Sequence, residues 1–426
     1  MTTPGTAARL PDESTRWKGR WLLAAPHRLA FFAAGLMLMT SSIWWSIVLA
    51  RRTFNMTLTW SIAPSATHGL LMSMGFMPLF FAGFLFTAGP KWMALPAVAA
   101  RSLLPTITLM LGGWIIVLIG FHTHATLAGT GLSLVATGWT GLFLRFRSMV
   151  QQSRVSDRVH VRAVAFACGV GALALWMASG AILIHSEFLL RAVTQLGLWG
   201  FVATVFAVVS HRMIPFFGAT AVPVLDAWQP MWLLWVMVSM MWLEALMNAA
   251  DARWWHWPAI LRWSQVAFEL PASILLLWLA VRWGLVQSLK IRLLAMLHGG
   301  FVWLGIAFAL SALSHALMAL TDGELSLGLA PLHAMTMGYL GATMFAMTTR
   351  VSSGHGGRSV AADQTAWVLY WILQTAVVLR VVAAIWPAGS TPLALLAISS
   401  WTTATVAWSI RYGRWFGRPR PDGRPG

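Results

Sequence analysis

Apolar residues in this chain come in long blocks, most of about 20 positions, separated by short stretches that carry charge, proline or glycine. A helix rises about 1.5 Å per residue, so a block of that length matches the ~30 Å hydrocarbon core of a bilayer. No water pairs the backbone there, and a helix satisfies every N–H and C=O within its own segment. The pattern therefore predicts transmembrane helices at roughly 28–50, 66–89, 103–121, 124–144, 163–184, 190–210, 229–248, 259–281, 292–313, 326–349, 364–386 and 391–411. The expected fold class is all-α, a polytopic integral membrane protein with about 12 transmembrane helices.

The placement of charge agrees with that number. With a cytoplasmic N-terminus, 23 of the 29 Lys and Arg fall in inner segments. Outer segments hold only Arg51, Arg52, Arg191, Arg253 and Arg262, and Arg380 lies inside the eleventh block. Basic residues favour cytoplasmic loops, so the bias supports an even number of crossings with both termini cytoplasmic. An odd number would scramble it. The same distribution explains the net charge of +17 without nucleic acid, because inner loops meet an anionic leaflet. Residues 1–27 carry Arg9, Arg16, Lys18 and Arg20 with no apolar core, unlike a cleavable signal peptide, and form a cytoplasmic tail. A single transmembrane domain at 28–411 and a basic tail at 412–426 follow.

Composition changes the picture only by exclusion. Hydrophobic residues make up 58%, charged residues 10%, and mean hydropathy is +0.71, which rules out an ordinary soluble domain. A single cysteine, Cys168, excludes a disulfide framework, an all-Cys zinc site and a Cys-ligated iron–sulfur cluster, and reads as packing. Trp92, Trp139, Trp283 and Trp415 read as interfacial anchors.

Polar residues inside the blocks are the candidates for chemistry. The second and tenth blocks each carry a histidine followed four residues later by methionine, His68 with Met72 and His333 with Met337. Residues at i and i+4 share a helix face, so each pair offers imidazole and thioether together, donors that suit haem iron or Cu(I); packing is the alternative role for the methionines. His298 precedes Gly299 and Gly300, which leave room for a neighbouring helix or a flat cofactor. Arg350-Val-Ser-Ser-Gly-His355-Gly-Gly-Arg358 reads as an inner loop whose arginines suit propionates, another anion or a lipid headgroup. In His211-Arg212-Met-Ile-Pro215-Phe-Phe217, the proline is expected to end the sixth helix and present Arg212 to the interface. Glu244, Glu269 and Arg380 lie within spans, so each needs a partner or a neutralising proton, and ion pairing is the simpler expectation. His122, His124, His185, His256 and His315 fall in or near outer segments.

Together these stretches resemble the NnrS family of nitric-oxide-response membrane proteins, which have about twelve spans and are described as binding haem and copper. The resemblance is densest at Leu332-His333-Ala-Met-Thr-Met-Gly338-Tyr-Leu-Gly341 and Met347-Thr-Thr-Arg350-Val-Ser-Ser-Gly354-His355-Gly-Gly-Arg358. These look like the family's Leu-His-Ala-Leu-Thr-x-Gly and Thr-Arg-Val-Ser-x-Gly-His-x-Gly-Arg runs. Weaker stretches follow in the family's order: His68 to Gly75-Phe76 with Gly83-Phe-Leu-Phe-Thr-Ala-Gly-Pro-Lys-Trp92, then Arg212 to Phe217, then Leu297 to Phe301. One departure is clear. The family's second span commonly reads His-x-His-Glu, whereas here it reads His68-Gly69-Leu70-Leu71, which lacks a second imidazole and a carboxylate.

The resemblance implies an inner-membrane haem protein that binds or handles nitric oxide, or another small diatomic, or protects against nitrosative damage. It raises His68, His298, His333, His355, Arg212, Arg350 and Arg358 as cofactor contacts, with His68, Met72, His298, His333 and Met337 as metal donors. Haem is the expected cofactor, and any copper must gather donors beyond the second-span motif. A quinol-linked nitric oxide reductase and a transporter or metal/haem-delivery protein are the alternatives, and no catalytic residue is assigned.

Overall fold

A computed structural model describes residues 16–222, 225–251 and 257–422, and these are helical with no strand among them. Arg9, Arg253, His256 and Arg424 lie outside the described residues. Eleven described helices are long and apolar enough to cross a membrane: α1 Pro26–Thr53, α2 Pro64–Leu85, α3 Ala100–His122, α4 Ala125–Gln152, α5 Val159–Leu183, α6 Glu187–Ala221, α7 Met231–Asp251, α8 Ala259–Arg282, α9 Arg292–Leu320, α11 Gln364–Ile385 and α12 Pro387–Phe416. The remaining predicted span is α10, residues 330–355, which runs without a break through Ala330–His333, Ala334–Gly341 and Ala342–His355. It is too polar to join the eleven, carrying His333, Thr336, Thr343, Thr348, Thr349 and Arg350.

The reason is visible in how the helices are layered. Of the most apolar stretch of each helix, 78% is buried in α2, 72% in α6 and 61% in α9, against 33–39% in α3, α7, α8, α11 and α12. The peripheral helices must be apolar because they present Ile115, Trp235, Ile274 and Val378 outward. Nearly all of α10 between Ala330 and Thr349 is buried or half-buried, so protein packing replaces lipid and polar side chains are tolerated. The helices bearing the motifs are the interior ones.

Hairpins of consecutive helices pack closely, α3 on α4, α8 on α9 and α11 on α12, and α1 lies against α12 to bring the chain ends together. There Trp17 Nε1 donates to the Gly413 carbonyl at 3.1 Å and Lys18 N–H to the Gly417 carbonyl at 2.8 Å. The first and last described residues thus share one face of the bundle, called here the terminal face; the opposite one is the distal face.

Three local expectations change. Helix α6 does not end at Pro215 but continues to Ala221, since one missing donor is tolerated where neighbouring helices shelter the turn. The expected loop from Arg350 is helical as far as His355, because glycine lowers helix propensity by only about 1 kcal/mol. Trp139 and Trp283 are core residues rather than interfacial anchors, each about 1% exposed, with Nε1 donating to the carbonyls of Cys168 and Trp228.

Candidate functional site

Two interior helices depart from α-geometry over eight residues each, with i→i+5 bonding at Leu196–Ala203 in α6 and Ala334–Gly341 in α10. Such widened turns recur at functional sites. The second begins immediately after His333 and contains Met337. The two helices meet at Ser210 and Tyr339, whose hydroxyls lie 3.0 Å apart in the core.

The predicted histidines separate into two groups. His68, four residues from the start of α2, and His333, three from the start of α10, both lie toward the distal face. His68, His333 and Arg380 on α11 lie within electrostatic range of one another, so three helices bring these groups together. His333 Nδ1–H donates to the Leu329 carbonyl at 2.8 Å, which fixes the tautomer and leaves the Nε2 lone pair free. The His68 ring stacks on Trp45 with centroids 3.9 Å apart, and its buried Nδ1 has no hydrogen-bond partner. Met72 and Met337 are half-buried and pack against the core. The two positions where a second imidazole and a carboxylate were missing are filled by Leu70 and Leu71, both buried.

The other predicted residues gather at the terminal face. From His333 to Arg350 is 17 residues along one helix, about 26 Å, and to His355 about 33 Å. A single porphyrin bound at His333 therefore cannot place its propionates on Arg350 and Arg358. Instead, Arg350 lies 3.9 Å over the Phe217 ring, Arg212 5.3 Å over Trp92 and Arg358 4.2 Å over Trp415. Cation–π contacts of this kind tie the second-, sixth- and tenth-helix motifs to one another and to α12. His355 meets a residue that the sequence reading overlooked, His27, with ring centroids 5.1 Å apart, and Arg28, Lys91 and Arg420 surround the pair. In the loop beyond α10, burial and the neighbouring charges of Arg411 and Arg418 hold the Arg358 guanidinium below its usual value.

His298 belongs to neither arrangement. It is fully buried, with Nδ1 3.0 Å from the Leu294 carbonyl and Nε2 3.2 Å from the Trp283 carbonyl, so neither nitrogen is open to a metal. The glycines beside it serve helix packing: a methyl group on Gly299 would lie 2.5 Å from Tyr370 Oη, and one on Gly300 2.5 Å from Thr343 Oγ1. A further histidine pair was missed as well. His211 Nε2 faces the Pro230 carbonyl at 3.2 Å and must donate, so His211 Nδ1 accepts from His160 Nε2–H at 3.0 Å. The signal for His27 and His160 was their position in the first turn of a span, on the face shared by His211, His298 and His355.

A family model described as NnrS protein matches residues 21–420, nearly the whole described chain. The chain belongs to the NnrS family. No curated protein matches it. Within an NnrS frame the donors group by face, with two imidazoles and an arginine toward the distal face and the Arg/His cluster at the terminal face. Among the described residues no group of three or more His, Cys, Asp or Glu is arranged to hold a metal ion. The distal imidazoles are donors of the type haem iron takes, and such ligation needs no third donor. For copper they offer a poorer set, since Leu70 and Leu71 replace an imidazole and a carboxylate.

Proposed function

We propose that this NnrS protein carries haem in the bacterial inner membrane and uses it to bind or handle nitric oxide, protecting against nitrosative damage. The observation that carries this reading is the distal convergence of His68 and His333, from different interior helices, with ring nitrogens that no protein group occupies. A lone pair left without a partner inside a membrane protein is costly, and iron would relieve it. His333 is the better ordered ligand, since the Leu329 carbonyl fixes its ring; His68 is placed to act as a second ligand or to face a bound diatomic. Arg380 supplies a cation for a propionate. Haem would supply a metal that binds a neutral diatomic, and that diatomic reaches the site by dissolving in the bilayer. The charge bias supports a cytoplasmic terminal face.

The test is a visible spectrum of the purified full chain, oxidised, reduced and exposed to nitric oxide, together with metal analysis. A Soret band that shifts with nitric oxide and is lost in His333→Ala is the expected result. Absence of any haem, or an unaltered spectrum in both His333→Ala and His68→Ala, would remove the proposal.

A further inference from the structure

A second polar assembly crosses from the distal face into the hydrocarbon depth, built from α7, α8 and α9. On α7, Glu244, Asn248 and Asp251 share one face at i, i+4 and i+7; on α8, Arg262, Gln265 and Glu269 share one at i, i+3 and i+7. Because the helices run antiparallel, Asp251 meets Arg262 at one level and Glu244 faces Glu269 at another, with Asn248 and Gln265 at intermediate positions on their own helices. The close backbone partner of α8 is α9, and that of α7 is α6, so long polar side chains bridge α7 and α8. Arg262 Nη1 binds Asp251 Oδ1 at 3.0 Å and Gln265 Oε1 at 3.0 Å. Seven residues inward, about 10 Å, the Glu244 and Glu269 carboxyls face each other within hydrogen-bonding reach.

Two carboxyls can share a hydrogen bond only if one holds a proton. Both are almost entirely buried, at 3% and 0% exposed. Their outer contacts are already assigned: Asn248 Nδ2 donates to Glu244 Oε2 at 2.9 Å, and His315 Nδ1 meets Glu269 Oε2 at 2.8 Å. The other two oxygens, Glu244 Oε1 and Glu269 Oε1, have no donor from the rest of the protein. One proton between the carboxyls satisfies both. Arg262 favours the negative charge on Glu269, and a His315 Nδ1–H directed at Glu269 Oε2 stabilises the carboxylate form there, which places the proton on Glu244. Gln265 Nε2, buried and without a partner, stands between this pair and the more open Asp251 carboxylate.

We propose that Glu244 and Glu269 form a proton-binding site loaded from the distal face along Asp251, Arg262 and Gln265, with His315 as the group that exchanges with it. Among the described residues, the neighbouring elements add no competing charge. Glu187 and Arg191 on α6 pair with each other at the surface, and His333 on α10 is grouped with His68 and Arg380. Infrared spectroscopy of the full chain in liposomes near neutral pH tests this. A protonated-carboxyl stretch that shifts in D₂O is expected, lost in Glu244→Gln, where the amide still donates to Glu269 and preserves the packing, and displaced in its titration by His315→Ala. Asp251→Ala is expected to slow deuteration of that band severalfold. No such band in the unsubstituted protein, or a band that survives in both Glu244→Gln and Glu269→Gln, would overturn the site; deuteration at an unchanged rate in Asp251→Ala would overturn the route.

Discussion

If haem sits at the distal end of α10, the charges that tune its potential can be ranked from the helix geometry. Arg350 is about 26 Å from His333, and at an effective dielectric of about 20 a unit charge at that distance contributes roughly 0.6 kcal/mol, about 25 mV for a one-electron couple. Ions at the terminal face screen it further. Half-buried Arg380 acts on both His68 and His333. A charge about 8 Å away would contribute about 2 kcal/mol, or about 90 mV. Replacing Arg380 with Gln should therefore lower the haem midpoint by several tens of millivolts, because a nearby cation favours the electron-rich state, while Arg350→Gln should move it by less than about 25 mV. A spectroelectrochemical titration of the three proteins reads both shifts. Equal shifts, or a larger one from Arg350→Gln, would refute the distal placement and return the cofactor to the terminal-face arginines.

Three other substitutions or conditions probe the frame around the site. His298→Ala should leave any haem spectrum intact but lower thermal stability by about 1–3 kcal/mol, since it removes a buried side chain facing two carbonyls; loss of the spectrum with unchanged stability would make it a ligand. A methyl group on Gly131 would come within 2.8 Å of the Gly113 carbonyl and of the Val117 nitrogen, backbone atoms that cannot swing aside. Gly131→Ala should therefore destabilise the α3–α4 hairpin by about 1–3 kcal/mol despite its better helix propensity, as read by denaturant unfolding in bicelles; equal or higher stability would contradict that close approach. Asp363, outside the spans, caps α11: burial would raise its pKa, but the Ala366 N–H at 3.0 Å and the Arg411 guanidinium hold it below the usual carboxylate value. Its contribution is thus complete above the unfolded-state pKa and disappears as pH falls through the lowered one, so the acid-side loss of stability should shrink in Asp363→Asn. An identical acid profile in the two proteins would discount the cap.

The sequence by itself determined the helices, their number and the motifs. Bilayer thickness fixes the length of an apolar block and the need to satisfy each backbone group fixes its conformation, so spans such as α3 and α5 were legible from local pattern alone. Even α10 could be placed by its flanking charges, although it is too polar to stand among the most apolar helices. Local pattern carries no information about which helix ends share a neighbourhood. Tertiary packing decided that His333 joins His68 and Arg380, that His355 joins His27, and that His298 turns both nitrogens to carbonyls, because each depends on how one helix is rotated and shifted against another. It decided the same for Trp283, where a tryptophan at a span end could as well face lipid as the core, and for Glu244 and Glu269, which lie 25 positions apart in the chain and come to face each other only when α7 and α8 fold back antiparallel.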